Sequence, residues 1–286
     1  MSYRIITDTC CDYPTEMYQE LDLEVVPLSV LYKGEYYNTY SEAWLKDLFA
    51  GLRSGETATT SAVNPDGWAT AIESVLVNGQ DALVLAFSSG LSATYQSAVI
   101  AAQELEEKYP ERKIRIVDTL CASLGQGLLV WYACQKRDEG LSLDEVADWV
   151  EENKLHLCHW VTADDLMYLK RGGRVSTATA VAGTLLQIKP IIHVNDEGKL
   201  ISVGKARGRK AAIQTLCNKV GELGIEGAND TIFICHGDCL EDAKTLESML
   251  KEKYGTKKVF IYYIGAVIGA HAGPGTMAVF FLGKNR

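Results

Sequence analysis

Apolar residues fall into two textures along this chain. Short continuous runs, residues 82–87 above all, fit strands buried on both faces of a parallel sheet. Longer stretches with apolar positions at helical spacing lie between them. Residues 5–8, 23–32, 82–87 and 114–118 read as extended. Residues 41–52, 62–76, 98–108 and 123–139 read as helices, with Ser41 as a cap and Pro65-Asp66 as an entry point. This alternation predicts a parallel sheet covered by helices.

The texture changes after a polar-faced helix over 143–154. Strands are expected over 156–163, 231–236, 258–264 and 277–282, and helices over 163–170, 211–221 and 241–254. Residues 188–194 and 199–203 flank Asn195-Asp196-Glu197-Gly198, which is a hairpin signal. The expected fold class is α/β in two domains. Residues 1–155 form an N-terminal parallel-sheet domain, and residues 156–286 a C-terminal domain with a mixed sheet. At roughly 100–200 residues per domain, the length of 286 fits two. Such a chain can bury a sizeable core and still leave room for an apolar ligand cavity.

Charge and cysteine usage narrow the function classes. A net charge of −9 argues against nucleic acid as the main partner, because that binding rests on a positive field. The 8 cysteines include no zinc-type pair and read as free thiols of a reducing cytoplasm. Cys235, His236 and Cys239 lack an obvious fourth ligand for zinc. Asp8 and Asp12 lack a third acid for a metal, and Asp12 reads as the cap of a helix near Pro14. The start of the chain runs straight into strand-like sequence, unlike a signal peptide. No apolar run approaches the ~20 residues that span a bilayer, so no transmembrane segment is expected and the location reads as cytoplasmic.

The chemistry concentrates in small-residue motifs. Residues 88–97, SSGLSATYQS, join a buried strand to a helix. A hydroxyl-rich turn there gathers free backbone N–H groups at a positive helix end, an anion-binding geometry. Gly90 permits close approach of a ligand. The flanks do not match the GxSxG elbow of serine hydrolases, and no base is obvious beside the serines. Thr59-Thr60-Ser61 is a second hydroxyl cluster, read as opening the next helix. If the two clusters converge at sheet ends, their neutral hydroxyls suit a carboxylate. Arg174, after Gly172-Gly173, can present a planar fork to a carboxylate or phosphate. His271 sits among four glycines and a proline, and reads either as a satisfied structural histidine or as a site residue. Lys205, Arg207, Arg209 and Lys210 form a basic patch on an acidic chain, read either as a solvated helix start or as a docking surface for an acidic or phosphorylated partner.

In this order the motifs resemble the DegV family of bacterial fatty-acid-binding proteins. The segments are DTCCD from Asp8, Thr60-Ser61, SSGLSATYQSA from Ser88, Asp118-Thr119 with Gly125-Gln126-Gly127, DLMYLKRGGRVS from Asp165, Lys189-Pro190, and GAVIGAHAGPG from Gly265. The resemblance implies a two-domain protein with one long-chain fatty acid buried between the domains. It implies a carboxylate held by Thr60 or Ser61 and by Ser92, with Arg174 and His271 near the head group. No cofactor is implied beyond the bound acid, and no catalytic residue. Relatives of this kind act as acyl carriers for a separate fatty acid kinase, which uses ATP and magnesium to make acyl phosphate for phospholipid synthesis. On that reading the patch from Lys205 to Lys210 helps dock the kinase. Ala93, Ala272 and the segment from Thr60 to Pro65 depart from the family's usual pattern. The competing readings are an enzyme acting on a small phosphorylated or acyl substrate, and a ligand-sensing regulatory protein.

Overall fold

The computed structural model describes residues 2–175 and 187–286. Its first half holds a wholly parallel sheet in the order β2-β1-β6-β7, built from β1 (Tyr3–Asp8), β2 (Leu23–Val26), β6 (Asp81–Ala86) and β7 (Ile114–Asp118). Every residue of β6 is buried, as its continuous apolar run predicts. Helices α2 (Glu42–Arg53), α3 (Pro65–Val77), α4 (Thr94–Lys108), α5 (Leu124–Asp138) and α6 (Leu143–Asn153) follow the expected spans closely, and α1 (Thr15–Glu20) adds a short turn. Ser41 caps α2 by accepting the Trp44 N–H.

Three local expectations are corrected. The extended run 23–32 is broken at Pro27, which cannot donate to a ladder, so β2 and β3 (Ser29–Tyr32) belong to different sheets. Strand β3 joins β4 (Glu35–Tyr37) and β5 (Ala58–Ser61) in a small antiparallel sheet. Thr59-Thr60-Ser61 therefore lies in a strand. The cap of α3 is Asn64, which accepts the Gly67 N–H at 2.8 Å. Asp12 is not the cap of α1, whose N-cap is Pro14; it closes the short 3-10 turn Thr9–Cys11, where its backbone N–H donates to Thr9 O, and is buried in a left-handed conformation with φ 56°.

The second half holds a mixed sheet in the order β10-β9-β8-β13-β11-β12. Its strands are β8 (Leu157–Thr162), β9 (Ile188–Val194), β10 (Leu200–Arg207), β11 (Thr231–His236), β12 (Lys258–Tyr263) and β13 (Met277–Leu282). The helices here are α7 (Met167–Arg171), α8 (Arg209–Leu223), α9 (Leu240–Tyr254) and α10 (Ala266–Ala272). The helix expected over 163–170 shrinks to α7, because the Asp165 side chain takes the Met167 N–H in a local turn. The hairpin forms as expected, with Asn195 accepting from both Glu197 and Lys199.

Period-2 alternation gives this second sheet two apolar faces. Ile232, Ile234, Met277, Val279 and Phe281 belong to a cluster with residues of α8 and α9. Phe233, Cys235, Ala278 and Phe280 face the other way and join the large cluster of the first half. Helix α5 lies at that junction. A side chain at Gly125 would collide with His159 and Phe280 of the second sheet, and one at Gly127 with Tyr13 and the Cys11 carbonyl of the first half. The chain crosses from one sheet to the other between α6 and β8, where we propose the division at 155/156. The main core nonetheless runs across it.

The hairpin tip also presses on the first half. Ser88 Oγ donates to the Gly198 carbonyl at 2.8 Å, and Gly198 has φ +70° with no room for a Cβ beside Ser88. Gly198→Ala should cost ~1–3 kcal/mol through strain and overlap. Thermal unfolding checks this; an unchanged Tm would show that the tip does not bear on the serine loop.

Candidate functional site

A cavity of about 300 Å³ lies where the C-terminal ends of the parallel strands meet the inner face of the second sheet. That is the usual ligand position of an open parallel sheet. From the first half come Leu28, Phe87, Leu91, Ala122 and Ser123, which follow β2, β6 and β7. The second sheet contributes His159, Val161, Val194, Leu200, Cys235, Ala278 and Phe280. Helix α10 contributes Val267, Ile268 and His271. The walls are mainly apolar, and Arg174 is the one charged side chain among the described lining residues.

Polar groups gather at the Arg174 end. Thr60 Oγ1 and His271 Nε2 are 2.7 Å apart, so β5 and α10 meet through that bond. Strand alternation turns Thr60 inward and leaves Ser61 exposed. His271 Nδ1 lies against Gly172, where any side chain would collide with the ring. Burial, with a smaller contribution from the Arg174 charge, pushes the His271 imidazole down to about 4. The ring is therefore neutral near pH 7.

Arg174 is held by backbone carbonyls. Its Nε donates to Leu91 O at 3.3 Å, and one terminal nitrogen donates to Gly172 O. Those bonds tie the loop after α7 to the serine loop of the other half. The guanidinium also borders two outer clefts, of about 410 Å³ beside Thr60 and Tyr168 and about 470 Å³ beside Gly90 and Lys199. The cationic end of the cavity is thus the end nearest solvent.

The serine loop is sited as expected, but its residues divide in role. Ser92 lines the cavity, with its hydroxyl 2.9 Å from Thr94 Oγ1. Ser88 is fully buried and spent on Gly198. Gly90 lies outside the cavity lining and packs against the hairpin tip, where a Cβ would strike Glu197 O. The structure therefore brings together Thr60, Ser92, Arg174 and His271, and leaves Ser61 and Gly90 outside. The last residue of the Arg174 motif, Ser176, lies outside the described residues.

The basic patch spans two elements. Lys205 and Arg207 are exposed on β10, an edge strand, and Lys210 is exposed at the start of α8. Arg209 is drawn inward, donating to Asp242 Oδ2 at 2.8 Å and to Gly275 O at 2.7 Å.

Residue spacing did not reveal His159 or Ser123. His159 is buried in the cavity wall, with Nδ1 donating to Leu157 O and Nε2 accepting the Ala122 N–H. Those bonds set a neutral tautomer, and burial holds its pKa well below the ordinary value. Ser123 has φ 56° and Leu120 φ 50°, so the loop entering α5 stores strain beside the cavity. All 8 cysteines are free thiols. Among the described residues no group of three or more His, Cys, Asp or Glu could hold a metal, and no helix is long and apolar enough to cross a membrane.

Comparison with known proteins gives a consistent result. The family model described as uncharacterised protein, DegV family, matches residues 2–284. A DegV domain-containing protein of Clostridium perfringens is 47% identical over 99% of this chain and 98% of its own length. A fatty-acid-binding DegV family protein from Thermus thermophilus has a solved structure at TM-score 0.87 and 31% identity, covering 99% of this chain and 100% of that one. The Streptococcus pneumoniae Fatty Acid Kinase (Fak) B3 protein, solved with linoleic acid, superposes at TM-score 0.85 over 99% of each chain; at 20% identity that likeness concerns the fold.

The His271 environment makes a titration prediction. In the empty protein its ring signals, followed by NMR, should change only near pH 4. A depressed imidazole pKa gives stability that is present above the unfolded value of about 6.5 and is lost as pH falls through the folded value. Titration near 6.5 would show that the ring is not buried beside Arg174.

Proposed function

The chain belongs to the DegV family, and on that premise we propose that it binds one long-chain fatty acid and presents the carboxylate to a separate fatty acid kinase. The observation that carries this reading is the pairing of an apolar cavity with one cation, Arg174, among its described lining residues, at its solvent end. An amphiphile with one anionic head complements that arrangement. The acyl chain takes the apolar length, and the carboxylate takes the end with Thr60, Ser92, Arg174 and His271.

The energetics suit a carrier. At ~0.8 kcal/mol per buried methylene, about fourteen methylenes contribute on the order of 11 kcal/mol before ordering costs. Affinity then comes from the chain, while the hydroxyls and the neutral imidazole orient the head. A neutral His271 can donate or accept toward a carboxylate without bringing a second charge into the cavity. Phosphorylation of the acid is assigned to a kinase because the resemblance carried by the sequence motifs implies one. Arg174, which touches both the cavity and the outer clefts, is placed to meet an incoming phosphoryl group. Lys205, Arg207 and Lys210 are proposed as the docking cations. Arg209 is proposed to hold α8 and α9 in place.

Mass spectrometry of lipid extracted from purified protein should find a C16–C18 class acid, about one per chain. Protein that carries none and takes none up would sink the reading. Ser92→Ala should weaken acid binding about tenfold, the worth of one hydrogen bond to a charged group. Arg174→Ala should retain much of the acid affinity and lose acyl phosphate formation when kinase and ATP are supplied. Turnover by the chain alone would instead favour an enzyme.

A further inference from the structure

A second cavity, of about 260 Å³, lies on the other side of the turn that follows β1. Its walls include Asp12, Tyr13, Tyr18, Tyr40 and Tyr262, and exposed Thr15 and Gln19 stand at its rim. Asp12 is 3% exposed. Its Oδ2 accepts the Ser123 hydroxyl at 2.5 Å, whereas Oδ1 lies beside the Gly265 backbone and makes no well-formed hydrogen bond among the described residues.

A buried carboxylate oxygen without a well-formed hydrogen bond is costly unless the group takes up a proton or a ligand or counter-charge meets it. No Lys, Arg or His is among the described lining residues, so none of them supplies a counter-charge here. Burial pushes the Asp12 carboxyl up to about 7, against the Ser123 hydroxyl and the Gly265 backbone N–H, which favour the charged form, while the Asp8 charge adds to the rise. The charges that reach Tyr262 are also acidic, from Glu42, Glu16 and Asp12.

These features select a ligand class. An anion would face the Asp12 carboxylate with no cation among the described lining residues to balance it. A purely apolar ligand would leave Oδ1 unpaired. A divalent metal is held most strongly by several carboxylates, and Asp12 is the one acidic residue among the described lining residues. A compact organic cation meets both demands, since tyrosine rings attract ammonium groups and a carboxylate balances them. We propose that this second cavity binds a small organic ammonium ion, with Asp12 Oδ1 as its counter-charge and the four tyrosines as its walls.

The test uses the full chain with tetramethylammonium and methylammonium chloride, against sodium chloride at equal ionic strength. Calorimetric titration and thermal unfolding should show saturable binding and a raised Tm with at least one ammonium salt. Asp12→Asn should abolish both effects. Tyr18→Leu, at a half-buried wall position, should weaken binding about fivefold and keeps the test decisive if Asp12→Asn does not fold. Equal Tm values in ammonium and sodium salts would overturn the proposal. So would an ammonium response retained in full by Asp12→Asn or Tyr18→Leu. The fatty acid content of the same preparations is a separate readout, so failure here does not touch the main cavity.

Discussion

The close approach of α5 to both halves is the constraint from which the rest of the structure follows. Backbone at Gly125 and Gly127 replaces two side chains, so the helix meets His159 and Phe280 on one side and Tyr13 and Cys11 on the other. Without that approach the inner face of the second sheet would have no apolar partner. With it, Phe233, Cys235 and Phe280 join the same core as the parallel strands. The cavity lies beside the loop entering α5, whose Ala122 and Ser123 line it. Strained Leu120 and Ser123 mark that loop.

Electrostatics at the site follow from the same seam. Arg174 reaches the cavity from the second half and is anchored to Leu91 O of the first and to Gly172 O. Carbonyl anchoring leaves its charge uncompensated by an acid among the described lining residues. Burial, with a smaller contribution from that charge, keeps the neighbouring imidazole neutral. One positive charge, neutral donors around it and an apolar interior are what a buried carboxylate with a long tail requires.

Much of the architecture was legible in the sequence because its signals are local. Continuous apolar strands, the Ser41 cap and the turn residues 195–198 each act within a few positions. The site was legible where motif residues also line the cavity, as at Ser92, Arg174 and His271. It failed where long-range packing decides. Ser61 is excluded by strand alternation, since Thr59-Thr60-Ser61 pairs with β3 and caps no helix. Gly90 serves contact with a hairpin more than 100 residues away, as Ser88 and Gly198 do at a separation of 110. Asp12 turns inward because its backbone adopts φ 56°, which spacing alone does not reveal. His159 could have been suspected only as a polar residue within a buried strand.

Because the main core is continuous across the proposed division at 155/156, the two halves share their hydrophobic stabilisation. Neither can separate from the other without exposing Phe233, Phe280 and the α5 surface together. On the proposed function, an acyl chain in the cavity would act as an extra core side chain supplied from outside the sequence. It would fill space that no described residue fills and add to the cohesion of both halves at once. By mass action the loaded protein should resist unfolding more than the empty one, so that ligand occupancy is recorded in the lifetime of the fold itself.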